Sequence, residues 1–356
     1  MKAMLLKRAR RVEDNPLEFA DVETPKTRAD EIRIAVRVCG VCHTDLHTVE
    51  GEIALPKLPV IPGHQIVGVV ESVGANVSRF RVGERVGVPW LNWTDGTCEY
   101  CERGLENLCA NARFTGQHVD GGYAEFVVLN ENFSYKIPEV FTDAQAAPLL
   151  CGGVIGYRAL RVSGLQPGER IGLYGFGSSA HIALQIARHW QCEAYVFTRS
   201  EEHRALAQQL GAAWTGGAGD TPPRLIDRAI IFAPVGDLVL DALRVTRKGG
   251  TVAHAGVYST PIPQLDYNLL YNERVIRTVA NSTRQDAEDL LRVAAEIPVR
   301  TEIEIFPLRE ANRVLQLLKA SKVRGSAVLE IRDWRFEIRD SRLDIGGGLW
   351  LHHLRN

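Results

Sequence analysis

Residues 171–187 read IGLYGFGSSAHIALQIA, an apolar run that leads through a glycine-rich turn into a helical repeat. The run at 171–174 has the length and composition of a buried strand, and the apolar side chains after the turn recur at helical spacing. Between them lies a G-x-G-x-x-A motif, in which glycine allows a tight turn and close approach of a pyrophosphate to the helix N-terminus. The stretch therefore predicts a dinucleotide-binding site made by Gly175, Gly177, Ser178 and Ala180.

The chain after this motif continues to alternate between strands and helices. Strands are predicted at 194–197, 229–232 and 251–255, with helices at 201–210 and 238–245. Strict alternation of this kind is typical of a parallel sheet with helices on both faces. The sequence therefore predicts an α/β protein with a doubly wound Rossmann domain over residues 156–297.

A different pattern precedes this domain and returns after it. Residues 31–38 alternate polar or small with apolar side chains, and glycine-rich turns then separate short apolar runs. Short strands with frequent turns predict a β-rich, barrel-like domain. A helical repeat at 308–318 and a last strand at 327–331 predict that the chain rejoins this domain, which we assign to residues 1–155 and 298–356.

The composition excludes several classes of protein. Hydrophobic residues make up 45% of the 356 residues, charged residues 24%, and the formal net charge is -1. Nothing in this balance favours binding to nucleic acid or to an acidic membrane surface. No run of 18 apolar residues occurs, and the apolar stretch at the N-terminus is too short for a signal peptide. We therefore expect a cytoplasmic protein without nucleic-acid or membrane partners.

Five of the seven cysteines fall in two tight groups, which indicates metal binding rather than disulfides in a reducing compartment. One group reads DGTCEYC at 95–101, and a further cysteine follows eight residues later. Asp95, Cys98, Cys101 and Cys109 could supply the four ligands of a closed structural zinc site. The alternative is a cysteine-bearing loop that holds no metal.

The other group reads CGVCHTDLH at 39–47, and it is joined by GHQ at 63–65 and LCGG at 150–153. Catalytic zinc needs three nitrogen or sulfur ligands and one open position, a set that Cys42, His64 and Cys151 could supply. Taken singly, each of these residues also fits a structural role, as a small buried thiol or a core histidine. Local spacing alone leaves both interpretations open.

Taken together and in this order, these groups resemble those of the zinc-containing medium-chain alcohol dehydrogenases, from Met1 to about Ile331, and the short-form bacterial enzymes most of all. The resemblance implies a GroES-like catalytic domain beside the Rossmann domain, and a homotetramer by analogy. It also implies reversible hydride transfer between an alcohol and a nicotinamide cofactor. The small-molecule partner would be an alcohol or aldehyde.

The same resemblance implies a role for each residue around the first metal. The cysteines at 42 and 151 and the histidine at 64 match the catalytic zinc ligands, and Asp45 matches the carboxylate that orients the ligating histidine. Thr44 matches the hydroxyl that contacts the substrate oxygen, and His47 matches the histidine that passes the proton on to solvent. His43 matches a residue beside the cofactor pyrophosphate.

Two positions near the metals depart from the family pattern. Gln65 stands where relatives carry a glutamate just outside the zinc shell, so one negative charge near the metal is missing. Asp95 stands where relatives carry the first cysteine of the structural lobe, and carboxylate is also an accepted zinc ligand. The alternative at the second position is a three-thiol remnant with weak affinity for zinc.

The choice of cofactor depends on the residues after the second Rossmann strand. NAD-specific relatives carry an acid at the position of Thr198, where it bonds the ribose 2′-hydroxyl. Arg199 can instead pair with a 2′-phosphate, which favours NADP slightly over NAD. The alternative is that Arg199 faces adenine or solvent while Glu201 or Glu202 reaches the ribose.

The substrate pocket is predicted from three residues. Trp90 matches an aromatic wall beside the zinc, although plain core packing would also explain it. Val49 and Ile53 occupy positions where relatives specialised for very small alcohols carry tryptophan. Smaller aliphatic side chains predict a roomier pocket, with activity on medium-length or aromatic primary alcohols in addition to ethanol.

Two other functions compete with this interpretation. A zinc-free enone or quinone reductase of the same superfamily would lack the three zinc ligands, which are present here. A non-catalytic dinucleotide-binding protein would be expected to lose Thr44 and His47, and both remain. These residues favour the zinc enzyme.

Overall fold

The structure is a computed structural model, and it describes residues 1–331. The predicted boundary at 356 and the tail after Asp333 lie outside the described residues. Among the described residues, no helix has the length and apolar character needed to cross a membrane.

Strands and helices are numbered here along the chain. The strands are β1 (Lys2–Leu6), β2 (Leu17–Asp21), β3 (Glu31–Val41), β4 (Gln65–Val73), β5 (Arg85–Val88), β6 (Leu91–Trp93), β7 (Arg113–Phe114), β8 (Phe126–Asn130), β9 (Tyr135–Lys136), β10 (Arg170–Tyr174), β11 (Glu193–Phe197), β12 (Trp214–Gly216), β13 (Ile226–Ile231), β14 (Thr246–His254), β15 (Val275–Thr278), β16 (Ile303–Pro307) and β17 (Ser326–Glu330). The α-helices are α1 (His43–Glu50), α2 (Glu99–Glu102), α3 (Asp143–Ala146), α4 (Gly152–Ser163), α5 (Ser178–His189), α6 (Glu201–Gln209), α7 (Leu238–Val245), α8 (Tyr267–Leu270), α9 (Arg284–Glu296) and α10 (Ala311–Lys319).

A six-stranded sheet with the order β12-β11-β10-β13-β14-β15 forms the centre of the second half of the chain. Every pairing in this sheet is parallel, which confirms the predicted doubly wound α/β fold. Apolar side chains on both faces of the sheet are buried, in one cluster under α4, α5 and α9 and in another under α7. The strand order reverses at β10, and in such sheets ligands bind at the carboxyl ends of the strands beside the reversal.

The second large sheet, built mainly from the first half of the chain, is mixed and mostly antiparallel. Its order is β16-β17-β3-β4-β5-β9, and β8 also pairs with β3. The last strand β17 lies antiparallel to β3, so the chain does return to the first sheet near its C-terminus, as the sequence predicts. The exact domain limits stay a prediction, and α4, which begins at Gly152, packs against α5 and α9 of the other half.

The element limits differ from the predicted ones where polar residues extend a strand or a helix begins irregularly. Strand β14 starts at Thr246 rather than 251, because Thr246 already pairs with Ile226 before a register shift. Its first residues are polar and largely exposed, so they give no apolar pattern. The helix predicted at 308–318 opens with a 3-10 turn, and the regular α10 begins only at Ala311.

Candidate active site

Cys42 lies where β3 ends and α1 begins, and it caps the N-terminus of that helix. Its sulfur accepts a hydrogen bond from the Thr44 backbone N–H at 3.3 Å, while its own N–H donates to the Asp45 carboxylate at 2.9 Å. This reciprocal capping box satisfies two N–H groups that helix geometry leaves without partners. The cap therefore fixes the Cys42 sulfur and the Asp45 carboxylate relative to each other.

His64 reaches the same point from the start of β4. The preceding Gly63 has φ +97°, and a Cβ there would lie 2.4 Å from the ring of Tyr123, so only glycine fits this turn. The turn directs the buried His64 ring toward α1, where its Nδ1 lies 3.2 Å from an Asp45 oxygen. Nε2 is then the ring nitrogen that faces the thiol of Cys42, at 3.4 Å.

The third member, Cys151, lies at the start of α4, and its sulfur is 3.8 Å from that of Cys42. One ligand atom from each of Cys42, His64 and Cys151 lies within 4.8 Å of the others. Two sulfurs and one imidazole nitrogen, with a carboxylate behind the imidazole, are the donor set that zinc prefers in proteins. The three residues therefore fit a zinc ion, with one side of the cluster open to a cavity.

The electrostatics of this cluster favour a cation. Contact with the Cys151 thiol, together with burial, raises the pKa of the Cys42 thiol well above its ordinary value. Burial alone would lower the pKa of His64, but the charges of Asp45 and Cys42 outweigh it and raise that pKa to about 10. Positive charge is thus stabilised and further negative charge is resisted at the centre of the cluster.

Gln65, next to His64, has a buried side chain. Its Nε2 has no hydrogen-bond partner among the described residues, and its side chain lies against Gly40, where a Cβ would come within 2.7 Å of Oε1. A buried amide donor without a partner is costly in a protein interior. The structure therefore places a neutral, unsatisfied amide where the family pattern has a charged carboxylate.

The second cysteine group forms a separate lobe around α2. Ligand atoms of Asp95, Cys98, Cys101 and Cys109 lie within 4.8 Å of one another, so the predicted four come together. One Asp95 oxygen accepts the N–H groups of Thr97 and Cys98 at 3.0 Å each. The N–H of Cys98 in particular lowers the pKa of Asp95 and keeps the carboxylate ionised. This set fits a closed tetrahedral zinc site.

Replacing Asp95 by alanine tests that second site. We expect zinc content, measured by inductively coupled plasma mass spectrometry, to fall from two ions per chain to one, because three thiols bind the metal more weakly than four ligands. Asp95→Cys is the matched control, and it should keep two ions. Two ions in Asp95→Ala, or a single ion in the unsubstituted protein, would contradict the assignment.

A cavity of about 380 Å³ opens beside the Cys42 cluster, and we call it the inner cavity. The predicted site residues that line it are Cys42, His43, Thr44, His47, Trp90, Cys151, Gly175, Gly177 and Ser178. His64 and Asp45 lie buried behind this wall. Trp90 stacks on Phe114 with ring centroids 4.4 Å apart and lies 6.1 Å from the His64 ring, so it is both packed and exposed to the cavity.

The prediction that Val49 and Ile53 line the pocket is not supported by their positions. Neither residue lines the inner cavity, and Val49 is fully buried in the core of the first sheet. A helix turns about 100° per residue, so Val49 lies about 140° around α1 from Thr44 and faces the opposite side. Ile53 follows the end of α1 at Gly51 and is half-buried outside the cavity wall.

A second cavity of about 760 Å³, the outer cavity, continues from the inner one past Gly175, Phe176 and Ala233. Its wall includes the ends of β10, β11 and β13, which parallel pairing brings to one edge of the sheet. Thr198 and Arg199 line it as predicted. The N-terminus of α5 faces the junction of the two cavities, and a Cβ on Gly177 would meet nothing within 4 Å. The cleft therefore has room for a dinucleotide pyrophosphate.

Ala180 does not reach this cleft, since it is buried in the first turn of α5. Ser178 does, and its hydroxyl is hydrogen-bonded at 2.7 Å to that of Ser326, a residue of the first sheet. Sequence patterns did not reveal Tyr258 and Asn281, which also line the inner cavity. Both lie in loops of the second half of the chain, where neither periodicity nor a motif marks them.

The fold and the site together define a class of protein. A doubly wound sheet with a glycine-rich turn, a long cleft across its carboxyl edge and a Cys-His-Cys cluster at the inner end are the parts of a nucleotide-dependent, metal-binding oxidoreductase.

Comparison with known proteins agrees with this class. Residues 28–139 match the family described as "Alcohol dehydrogenase GroES-like domain", and residues 180–296 match "Zinc-binding dehydrogenase". A probable alcohol dehydrogenase of Mycobacterium tuberculosis is 45% identical over 337 residues, which cover 93% of this chain and 97% of that protein. An alcohol dehydrogenase of Geobacillus stearothermophilus is 36% identical, covering 89% and 96% respectively.

Among solved structures, the alcohol dehydrogenase of Aeropyrum pernix superposes with a TM-score of 0.83 at 29% identity, covering 93% of this chain and all of that one, 100%. A cinnamyl alcohol dehydrogenase of Sorghum bicolor gives a TM-score of 0.84 at 27% identity, covering 92% and 97%. The chain belongs to the zinc-containing medium-chain alcohol dehydrogenase family, which confirms the resemblance carried by its cysteine, histidine and glycine motifs.

Proposed function

We propose that this protein is a zinc-dependent alcohol dehydrogenase that transfers hydride reversibly between primary alcohols and a nicotinamide cofactor. The observation that carries the proposal is the position of the Cys42, His64 and Cys151 cluster. Cys42 and Cys151 line the same cavity as the glycine-rich turn, and His64 lies buried behind them. The alcohol dehydrogenases among the relatives, at up to 45% identity, support the same activity.

When bound, zinc would supply Lewis acidity toward the alcohol or carbonyl oxygen, and the nicotinamide would supply the hydride acceptor or donor. The protein supplies position and proton transfer. Thr44 is buried at the cavity wall and offers its hydroxyl to the substrate oxygen, and His47 lines the same wall one helical turn further on. Together they can carry the hydroxyl proton away from the substrate.

Asp45 and the apolar wall complete the arrangement. The Asp45 carboxylate accepts the Nδ1–H of His64 and so orients the ring with Nε2 toward Cys42, where a metal ion would displace the Nε2 proton on binding. Trp90, Leu150, Val154 and Ile155 give the inner cavity an apolar lining that limits water. This lining, rather than Val49 and Ile53, supports activity on medium-length and aromatic primary alcohols.

A panel of alcohols assayed at 340 nm with NAD and NADP tests the proposal. We expect turnover that depends on alcohol and on bound zinc, with kcat/KM for hexanol and benzyl alcohol no more than about tenfold below that for ethanol, because the apolar lining can bury the larger substrates. A kcat/KM for ethanol more than about tenfold above those for hexanol and benzyl alcohol would contradict the pocket assignment. Turnover of an enone without metal, or no turnover at all, would favour the zinc-free reductase or the non-catalytic protein.

The outer cavity supports NADP as the preferred cofactor. Arg199 is exposed at its wall, and Lys322 and Arg324 line the same cavity from the segment between α10 and β17. Three cations suit a 2′-phosphate better than a bare ribose. Glu202, which also lines the cavity, is the residue that would bond the ribose of NAD instead.

Arg199→Gln measures this preference. We expect KM for NADP to rise about ten- to a hundredfold, since a hydrogen bond between charged groups contributes about 1.5–3 kcal/mol. KM for NAD in the same variant is the internal control and should stay within about twofold. An equal rise with both cofactors would show that Arg199 does not contact the 2′-phosphate, and Glu202→Gln would then be expected to impair NAD.

By analogy with the short-form bacterial enzymes, we propose a homotetramer. The free cysteines, grouped as possible metal ligands rather than disulfides, support a cytoplasmic location, which we propose as well.

A further inference from the structure

His47 has a carboxylate partner that the sequence pattern did not indicate. Helix α1 ends at Glu50, and the next residue, Gly51, caps it in the left-handed conformation with φ +76°. The backbone then turns back, so that the N–H of Glu52 donates to the carbonyl of His47 at 2.9 Å. This turn places the Glu52 carboxylate in hydrogen-bond contact with Nδ1 of His47.

The two ends of this pair lie in different surroundings. The His47 side chain lines the inner cavity and is only 14% exposed, whereas the Glu52 side chain is 38% exposed and is not part of the cavity wall. Since Nδ1 contacts Glu52, Nε2 is the ring nitrogen left to accept a proton. The pair therefore connects the cavity with the solvent.

We propose that Glu52 is a positioning residue for proton transfer, which holds a proton on Nδ1 of His47 and keeps Nε2 available as the acceptor. The inference rests on the proposed function and extends it by one residue. A hydrogen bond at one ring nitrogen decides which tautomer a histidine adopts. A carboxylate at that nitrogen also stabilises the imidazolium that forms when the other nitrogen takes up a proton.

The other side chains in contact with the His47 ring do not provide a negative charge. The His43 ring lies 6.4 Å away and the Tyr258 ring 5.6 Å away, the latter from the loop after β14 in the other half of the chain. Neither is negatively charged near neutral pH. Among the described contacts of His47, Glu52 is therefore the residue that supplies a carboxylate.

Atoms and charge balance in the resulting step. The hydride from the alcohol C–H bond would go to the oxidised nicotinamide, and the O–H proton would leave by way of the Thr44 hydroxyl and arrive at Nε2 of His47. The imidazolium, held beside the Glu52 carboxylate, then releases the Nε2 proton to water, which restores the neutral ring with its proton on Nδ1. In carbonyl reduction the same groups supply the proton in the opposite direction.

A double-mutant cycle with pH profiles tests this role. In Glu52→Gln the amide can still accept the Nδ1–H but carries no charge, so we expect kcat for alcohol oxidation to fall about tenfold. The pH profile of kcat should change as well, because the variant removes a negative charge beside the ring that takes up the proton. In a His47→Gln background, Glu52→Gln should change kcat less than about twofold, since the residue acts through His47.

Glu50→Gln is the matched control, two residues before Glu52 at the last position of α1. Glu50 is paired with Lys319 and the Val12 N–H rather than with a histidine, so its substitution should leave the pH profile unchanged. An unchanged profile in Glu52→Gln, or a full additional loss in the His47→Gln background, would overturn the role of Glu52 while the alcohol dehydrogenase activity stood. Absence of alcohol turnover in the unsubstituted protein would overturn both.

A readout independent of turnover is the tautomer of His47, measured by two-bond ¹H–¹⁵N NMR on the full chain and assigned with His47→Gln. We expect the Nδ1–H form in the unsubstituted protein and in Glu52→Gln, and a shift toward the Nε2–H form in Glu52→Ala. The Nε2–H form in the unsubstituted protein would overturn the proposal.

Discussion

His64→Ala is expected to lower kcat/KM for alcohol oxidation by more than about a thousandfold, the scale on which removing an electrostatic catalyst acts. Alanine removes the only imidazole of the Cys42, His64 and Cys151 set and takes away the ring contact of one Asp45 carboxylate oxygen. Cys42→Ser should have a similar effect, because serine replaces a thiolate ligand with a hydroxyl of much higher pKa. Both variants should lose one zinc per chain.

Cofactor binding separates this effect from general damage. The glycine-rich turn belongs to the parallel sheet, and the outer cavity lies between that sheet and residues 321–324, whereas His64 lies just before β4 of the other sheet. Kd for the cofactor, measured by fluorescence, should therefore change less than about threefold. Cys192→Ser is the matched thiol control, since Cys192 is buried away from both cysteine groups and bonds the Gln166 carbonyl. Near-normal activity in His64→Ala would refute a mechanism that uses this cluster.

Asp286→Ala is expected to lower the free energy of unfolding by about 3–5 kcal/mol, the cost of breaking a buried ion pair. Asp286 is fully buried at the start of α9, bonds Arg158 at 2.6 Å and Arg161 at 2.9 Å, and accepts the N–H of Thr283. Alanine would leave the largely buried Arg158 without its carboxylate. It would also remove the acidic half of the capping box that Asp286 forms with Thr283. Because Ser282, just before this cap, lines the inner cavity, activity should fall as well.

Urea unfolding of Asp289→Ala provides the comparison. Asp289 lies on the same helix, but its contact with Arg292 is partly exposed and 3.6 Å long, so its loss should cost less than about 1 kcal/mol. Equal destabilisation by the two substitutions would contradict the importance of the buried pair.

The cost of Asp286→Ala should also depend on pH. Burial by itself would raise the pKa of Asp286, but the Thr283 N–H and Arg158 outweigh it, so the pKa in the folded protein lies below the unfolded value. A lowered pKa means that the carboxylate contributes its full stability above the unfolded pKa of about 3.9, and that this contribution is lost as pH falls through the folded pKa. The difference between the two proteins should therefore be largest near neutral pH and shrink below about pH 4.

Local patterns were enough for the elements that hold the cofactor cleft. The helix predicted at 238–245 is found at Leu238–Val245, and the strand–turn–helix around residues 171–187 becomes β10 and α5. Strand β14 was less predictable, because its polar first half carries no alternation. Patterns of this kind report only on which side of an element is buried.

The same limit explains what was wrong or missing at the site. Val49 was placed by its match to relatives, yet the rotation of α1 turns it into the core while Thr44 and His47 face the cavity. The contact of Glu52 with His47 depends on the left-handed turn at Gly51, which no spacing rule marks as functional.

The sequence by itself determined the types and spacing of the ligands, the glycine-rich turn and the order of strands and helices, because these follow from backbone periodicity and side-chain chemistry. The tertiary structure decided which of them meet. Cys42 and Cys151 are 109 residues apart in the chain, and the packing of the turn at Ala147–Leu150, just before α4, against the first sheet brings their sulfurs to 3.8 Å. That approach is set by long-range burial of apolar surface, which is collective and has no local signature.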